Sequence, residues 1–136
     1  MNDKKINIFI WLLMVGMLGW FFYSQGWILA NFQNLSPQEA KVLLTEDKNL
    51  TLVDVRTSTA FKKDFIDGAT NVPLSKLKTD QTLMQKYKNR KILLYSERGE
   101  ESIEVARLLK NQGYIFLNLK GGIVFWLRAG YVLQRP

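Results

Sequence analysis

Charge vanishes from the chain between Ile6 and Gln38, and within that stretch Ile6 to Ala30 is mostly apolar. Roughly 20 apolar residues carry a helix across the hydrocarbon core of a bilayer. The pattern therefore predicts one transmembrane helix over residues 6–30, with a short tail at 1–5 and a connector at 31–35. Trp11, Trp20, Tyr23 and Trp27 are amphipathic rings of the kind that settle near headgroups. Gly16 and Gly19 do not form a G-x-x-x-G pair, so no dimerisation face is read from them. Two other readings stay open. Lys4, Lys5 and Ala30 could belong to a cleaved signal peptide, although the apolar run is long for one. A buried core helix would need more covering surface than a domain of about 100 residues supplies.

From residue 36 the pattern changes. Ser36-Pro37-Gln38-Glu39 has the layout of a helix start, with a capping hydroxyl, proline at the first helical position and a glutamate to close the box. Ala40, Leu43 and Leu44 give that helix an apolar face ending near Thr45. Leu50 to Val55, Lys91 to Tyr95 and Ile115 to Leu119 are short apolar, β-rich runs between polar turns, which predicts buried strands. Ser102 to Gln112 places Ile103, Ala106 and Leu109 at helical spacing before Gly113. Gln81 to Tyr87 and Ile123 to Ala129 read as further short helices. Strand–helix–strand alternation implies parallel strands, right-handed crossovers and helices on both faces of the sheet.

Composition narrows the chemistry. The 136 residues contain no cysteine and no histidine, which removes disulfides, thiolates, imidazole bases and the usual metal ligands. No metal site and no cofactor is expected. The net charge of +7 is dispersed along the chain, a pattern of solvated surface rather than of nucleic-acid binding, and attraction to anionic lipid headgroups fits it better.

In a sheet of this kind ligands bind beyond the carboxyl ends of the strands. That directs attention to Ser96-Glu97-Arg98-Gly99-Glu100-Glu101-Ser102, which joins a strand end to a helix start. A tight loop closing on a helix N-terminus aims backbone N–H groups at one point and makes an anion cup.

Around this loop the chain resembles the rhodanese family from about Leu35 to Leu133. Leu52-Val53-Asp54-Val55-Arg56 is similar to the family's Asp-x-Arg strand end, which marks Asp54 and Arg56 as possible binding residues. Phe61 and the run Ile66-Asp67-Gly68-Ala69-Thr70-Asn71-Val72-Pro73 resemble a second family stretch. Gly121-Gly122-Ile123 with Trp126, Gly130 and Tyr131 resembles a third. The resemblance implies an α/β fold, three-layer α/β/α around a mostly parallel sheet, occupying 36–136 and preceded by one transmembrane helix. It also implies that Ser96 stands where active members carry the cysteine that bears the transferred sulfur. Phe65 and Ala60 stand where the family often has histidine and glutamate.

A serine hydroxyl is a weak nucleophile without an adjacent base and cannot hold a persulfide. The loop sets Glu97, Glu100 and Glu101 against Arg98, a net −2, whereas active members cradle anionic donors. Two carboxylates about 6 Å from an anion cost it on the order of 1–3 kcal/mol at an effective dielectric near 20. Relatives of this fold that act as phosphatases need a cysteine and a closing arginine, and neither is in place. The reading is a membrane-tethered, catalytically inactive module that docks a protein partner or a small anion through the former active-site loop. The alternatives are an enzyme using a partner's cysteine or Ser96 itself, and a membrane-protein assembly factor. The resemblance places the chain in a bacterial inner membrane as a single-pass protein bound to lipid through residues 6–30. Lys4 and Lys5 lean towards a cytoplasmic N-terminus, family habit towards a cytoplasmic domain, and the side stays open.

Overall fold

The computed structural model describes residues 3–24 and 32–136. They fall into two units. The first is α1 (Asp3–Ser24), a helix of 22 residues. Its stretch from Lys4 to Tyr23, with a mean hydropathy of 1.9, is long and apolar enough to cross a membrane. The helix starts earlier than the expected residue 6, because Asp3, Lys4 and Lys5 continue it. The remainder of the expected span, with Trp27, lies outside the described residues.

The second unit is a five-stranded, wholly parallel sheet in the order β1-β5-β4-β2-β3. Its strands are β1 (Phe32–Leu35), β2 (Leu50–Asp54), β3 (Thr70–Asn71), β4 (Lys91–Tyr95) and β5 (Ile115–Leu119). The helices are α2 (Pro37–Glu46), α3 (Ser58–Lys63), α4 (Leu74–Leu77), α5 (Glu100–Leu108) and α6 (Gly122–Arg128), with a 3-10 helix at Gln81–Tyr87.

Alternate side chains of the central strands feed two cores, as a sheet covered on both faces requires. Ile92 and Leu94 of β4 pack with Met84, Tyr87, Val105 and Leu109, on the side of α4, α5 and the 3-10 helix. Leu93 and Tyr95 pack with Ala40, Leu119, Ile123 and Trp126, on the side of α2 and α6. The expected capping box of α2 is present: the Glu39 N–H donates to Ser36 Oγ (3.3 Å), and the Ser36 N–H donates to Glu39 Oε2 (2.8 Å).

The connector expected over 31–35 is corrected. Phe32–Leu35 is an edge strand, in register with β5 from Phe32↔Phe116 to Leu35↔Leu119. Gln33 and Asn34 break the apolar signal, but parallel pairing needs backbone groups rather than side chains, and Leu35 at the strand end is buried. The expected helix over 81–87 is a 3-10 helix, whose three-residue period turns Met84 and Tyr87 inward together. The helix expected from Ser102 begins two residues earlier, since Gly99 turns the chain (φ 107°) directly into it. It ends before Gln112, with left-handed Asn111 and Gly113 completing the turn to β5.

Candidate functional site

The loop after β4 sits where the parallel strands end, on the carboxyl side that suits ligand sites. Ser96 opens it and is only 1% exposed. Its Oγ accepts the Gly99 N–H (2.9 Å) and lies 3.4 Å from the Ser102 hydroxyl. The Ser102 hydroxyl, also buried, lies 2.6 Å from Asn118 Oδ1 and 3.0 Å from the Gly99 carbonyl. With one proton it serves one of these acceptors fully, and the shorter contact is to Asn118. The Asn118 amide in turn donates to Asn34 Oδ1 on the edge strand (2.8 Å). The hydroxyl at position 96 is thus the buried end of a polar chain that runs through α5 and β5 and surfaces at Asn34 on β1. Among the described residues no carboxylate bonds to it, and the chain has no imidazole.

The floor of the loop is held by α6. The Ile123 N–H donates to the Ser96 carbonyl (3.0 Å) and the Val124 N–H to the Glu97 carbonyl (3.2 Å). This approach explains Gly122. It adopts φ 56°, and a Cβ there would overlap the Ser96 and Glu97 carbonyl oxygens. Gly122 is therefore what lets the helix end reach the loop, while Gly121, at φ 73°, leaves room for the Phe125 ring.

Arg56 braces the other side. It is 5% exposed beside Asp54 at 0%. Its guanidinium meets Asp54 (Nη2–Oδ2 2.8 Å), the Asp64 carbonyl (2.6 Å), Asp64 Oδ1 (3.3 Å) and Glu97 Oε2 (3.3 Å). Three carboxylates answer one cation, so Arg56 has no charge left to offer an incoming anion. The expectation that Asp54 and Arg56 contact a ligand meets a different geometry: both are buried against each other and pin Glu97 into the loop. The ring of Tyr95 lies 5.9 Å from the Arg56 guanidinium carbon, and its phenol accepts the Ile66 N–H (3.1 Å). Burial, with the Asp54 charge adding to it, pushes the Tyr95 phenol well above the usual range. Asn71 ties the strand end down, donating to the carbonyls of Asp54 and Arg56 (3.0 Å each).

Glu97, Arg98, Glu100 and Glu101 are exposed, while Gly99 and Ser102 are buried. The Glu101 carboxyl is pushed up, first by loss of solvent and then by the charges of Asp54, Glu100 and Glu104. Its neighbourhood therefore disfavours further negative charge. Phe65 stacks on Phe61 (centroids 4.7 Å apart), and its backbone bridges to Gln134.

The structure brings all seven loop residues together. It adds Asp64, Asn118 and the α6 glycines, which the sequence reading did not assign to the site. Asn118 left a local signal, an amide inside an otherwise apolar strand, and the paired glycines 121–122 left another; Asp64 is eight residues from Arg56 and gives none.

The rhodanese-like domain model matches residues 36–129. A sulfurtransferase of Allochromatium vinosum is 30% identical over 94 residues, covering 68% of this chain and 86% of the relative. The probable adenylyltransferase/sulfurtransferase MoeZ of Mycobacterium tuberculosis is 30% identical over 100 residues, and there the match spans 26% of the relative's length. A rhodanese-like domain protein of Staphylococcus aureus superposes with a TM-score of 0.65 at 24% identity, covering 77% of this chain and 99% of that one.

Proposed function

The chain belongs to the rhodanese-like domain family, related to sulfurtransferases, and from that footing we propose that it is a non-catalytic, membrane-tethered docking module. One observation carries the reading: the strand-end position that resembles the family's sulfur-bearing cysteine is Ser96, buried and hydrogen-bonded, in a chain without cysteine or histidine. Sulfur transfer needs a nucleophile that is ionised near neutral pH and can form an S–S bond. A thiol near pKa 8.5 is lowered into that range by N–H groups and cations; a serine hydroxyl is not, and its oxygen forms no persulfide.

The electrostatics support the same reading. Arg56 is occupied by Asp54, Asp64 and Glu97, and the exposed rim carries three glutamates to one arginine. The loop's own exposed rim is net acidic, so a protein partner suits it better than an anionic donor. The apolar α1 supplies the tether.

The test is sulfur transfer from thiosulfate to cyanide by the full chain in detergent, with a persulfide donor as a second substrate. The expected rate equals the protein-free background with both donors. A rate above background that Ser96→Ala abolishes would sink the proposal and favour chemistry at the serine.

A further inference from the structure

Because the strands are parallel, the N-terminal ends of β1, β2, β4 and β5 gather at one pole of the sheet, opposite the loop. Leu50, Lys91 and Ile115 lie in register there, with Phe32 one step along beside Phe116. The turns feeding these strands carry the charge. Lys48 precedes β2, Lys86, Lys88 and Arg90 precede β4, Lys91 begins it, and Lys110 precedes β5; all six are exposed. Glu46 and Asp47 share this pole, so six cations face two carboxylates, a net of +4. Asp47 is paired with Lys91 (2.8 Å), and among the described residues the other five cations make no ion pair.

Rings and an aliphatic side chain interleave with these charges. Lys88 lies over the Tyr114 ring (5.7 Å) and Lys86 over Tyr87 (4.9 Å), while Ile115 is 54% exposed. Unpaired basic residues beside tyrosine and aliphatic surface are what an anionic lipid headgroup layer attracts. β1 opens the domain at this same pole, so the chain arriving from the apolar N-terminal segment joins it here.

We propose that this basic pole is a second membrane contact, docking on anionic lipid and turning the loop at the opposite strand ends towards the aqueous side. Nucleic-acid phosphates share the charge, but continuity with a chain that carries a membrane-spanning candidate favours lipid. The inference rests on the tether of the proposed function and goes beyond it.

The cysteine-free chain suits single labels. The full-length protein, with a fluorophore on Gln85→Cys at the basic pole or Thr59→Cys on α3 near the strand C-terminal ends, is reconstituted into vesicles. One set is phosphatidylcholine alone, the other contains about 30% phosphatidylglycerol. In anionic vesicles the label at position 85 is expected to be at least about threefold less accessible to acrylamide than in neutral ones, with position 59 unchanged. The protection should vanish in about 1 M salt, and in the variant with Lys86, Lys88, Arg90 and Lys110 all changed to Gln, because each charge is worth roughly fivefold in lipid partitioning. Equal accessibility at position 85 in both lipids would overturn the inference while leaving the tether intact. So would equal protection at both positions, or protection in neutral vesicles by a DNA oligonucleotide that matches the effect of anionic lipid. Release of the chain from vesicles by carbonate would instead remove the tether itself and this inference with it.

Discussion

Asp54→Asn takes away the counter-charge closest to a guanidinium that is only 5% exposed, and so should be among the costliest single changes in the domain. Breaking a buried pair by neutralising one partner costs about 3–5 kcal/mol when the other charge is left alone, and with Asp64 and Glu97 still facing Arg56 the low end, about 3 kcal/mol, is expected. Urea unfolding of the detergent-solubilised chain should show that loss, and a variant within about 0.5 kcal/mol of the wild type would mean the pair is not the brace described. Tyr95 gives a pH signature. Its phenol is raised when folded, so the folded state holds the proton while the unfolded chain releases it near pH 10. The contribution is fully present below about pH 10 and is lost as the pH rises beyond it, and Tyr95→Phe should flatten that alkaline limb. If the wild type and Tyr95→Phe lose stability in parallel above that pH, the phenol is not the group responsible. At this scale the sequence exposed Ser96 plainly, because one residue type excludes one chemistry. It did not expose the burial of Arg56, which depends on carboxylates 8 and 41 residues away.

Among the elements, α6 matters most to the loop, since its first N–H groups hold the carbonyls of Ser96 and Glu97. Gly122→Ala adds a Cβ against those carbonyls at a positive φ. Strain of about 1–3 kcal/mol follows, and a domain of this size should lose on the order of 10 °C in melting temperature. Thermal unfolding of the variant checks this, and an unchanged midpoint would show that α6 does not press on the loop as described. The long elements were legible because apolar runs and capping residues are local signals. β2, β4, β5 and α2 lie within a residue or two of their expected bounds. β1, β3, α3 and α4 were not legible. β1 owes its existence to pairing with β5, and β3 is two residues long.

For the whole molecule, an apolar N-terminal helix long enough to cross a membrane and a parallel α/β domain share one chain, and under the proposed tether the side that the domain faces decides which partners can meet the loop. Single cysteines at Asn2 and Thr59, probed with an impermeant maleimide in intact cells, should label at one position only. Labelling at position 59 would put the domain outside, labelling at position 2 would put it in the cytoplasm, and equal labelling of both would contradict a single spanning helix.

Sulfur uptake by the chain separates a docking module from a sulfur carrier. The wild type, Ser96→Cys, and Ser96→Cys combined with Glu97→Gln, Glu100→Gln and Glu101→Gln would each be incubated with thiosulfate and weighed intact by mass spectrometry. Cyanide would then be added to discharge any bound sulfur. The wild type should gain no sulfur, the single variant little, and the combined variant clearly more, as the loop loses the charge that repels an anionic donor. Cyanide-labile sulfur on the wild type would contradict the account outright, and full loading of Ser96→Cys alone would show that the acidic rim does not guard the site.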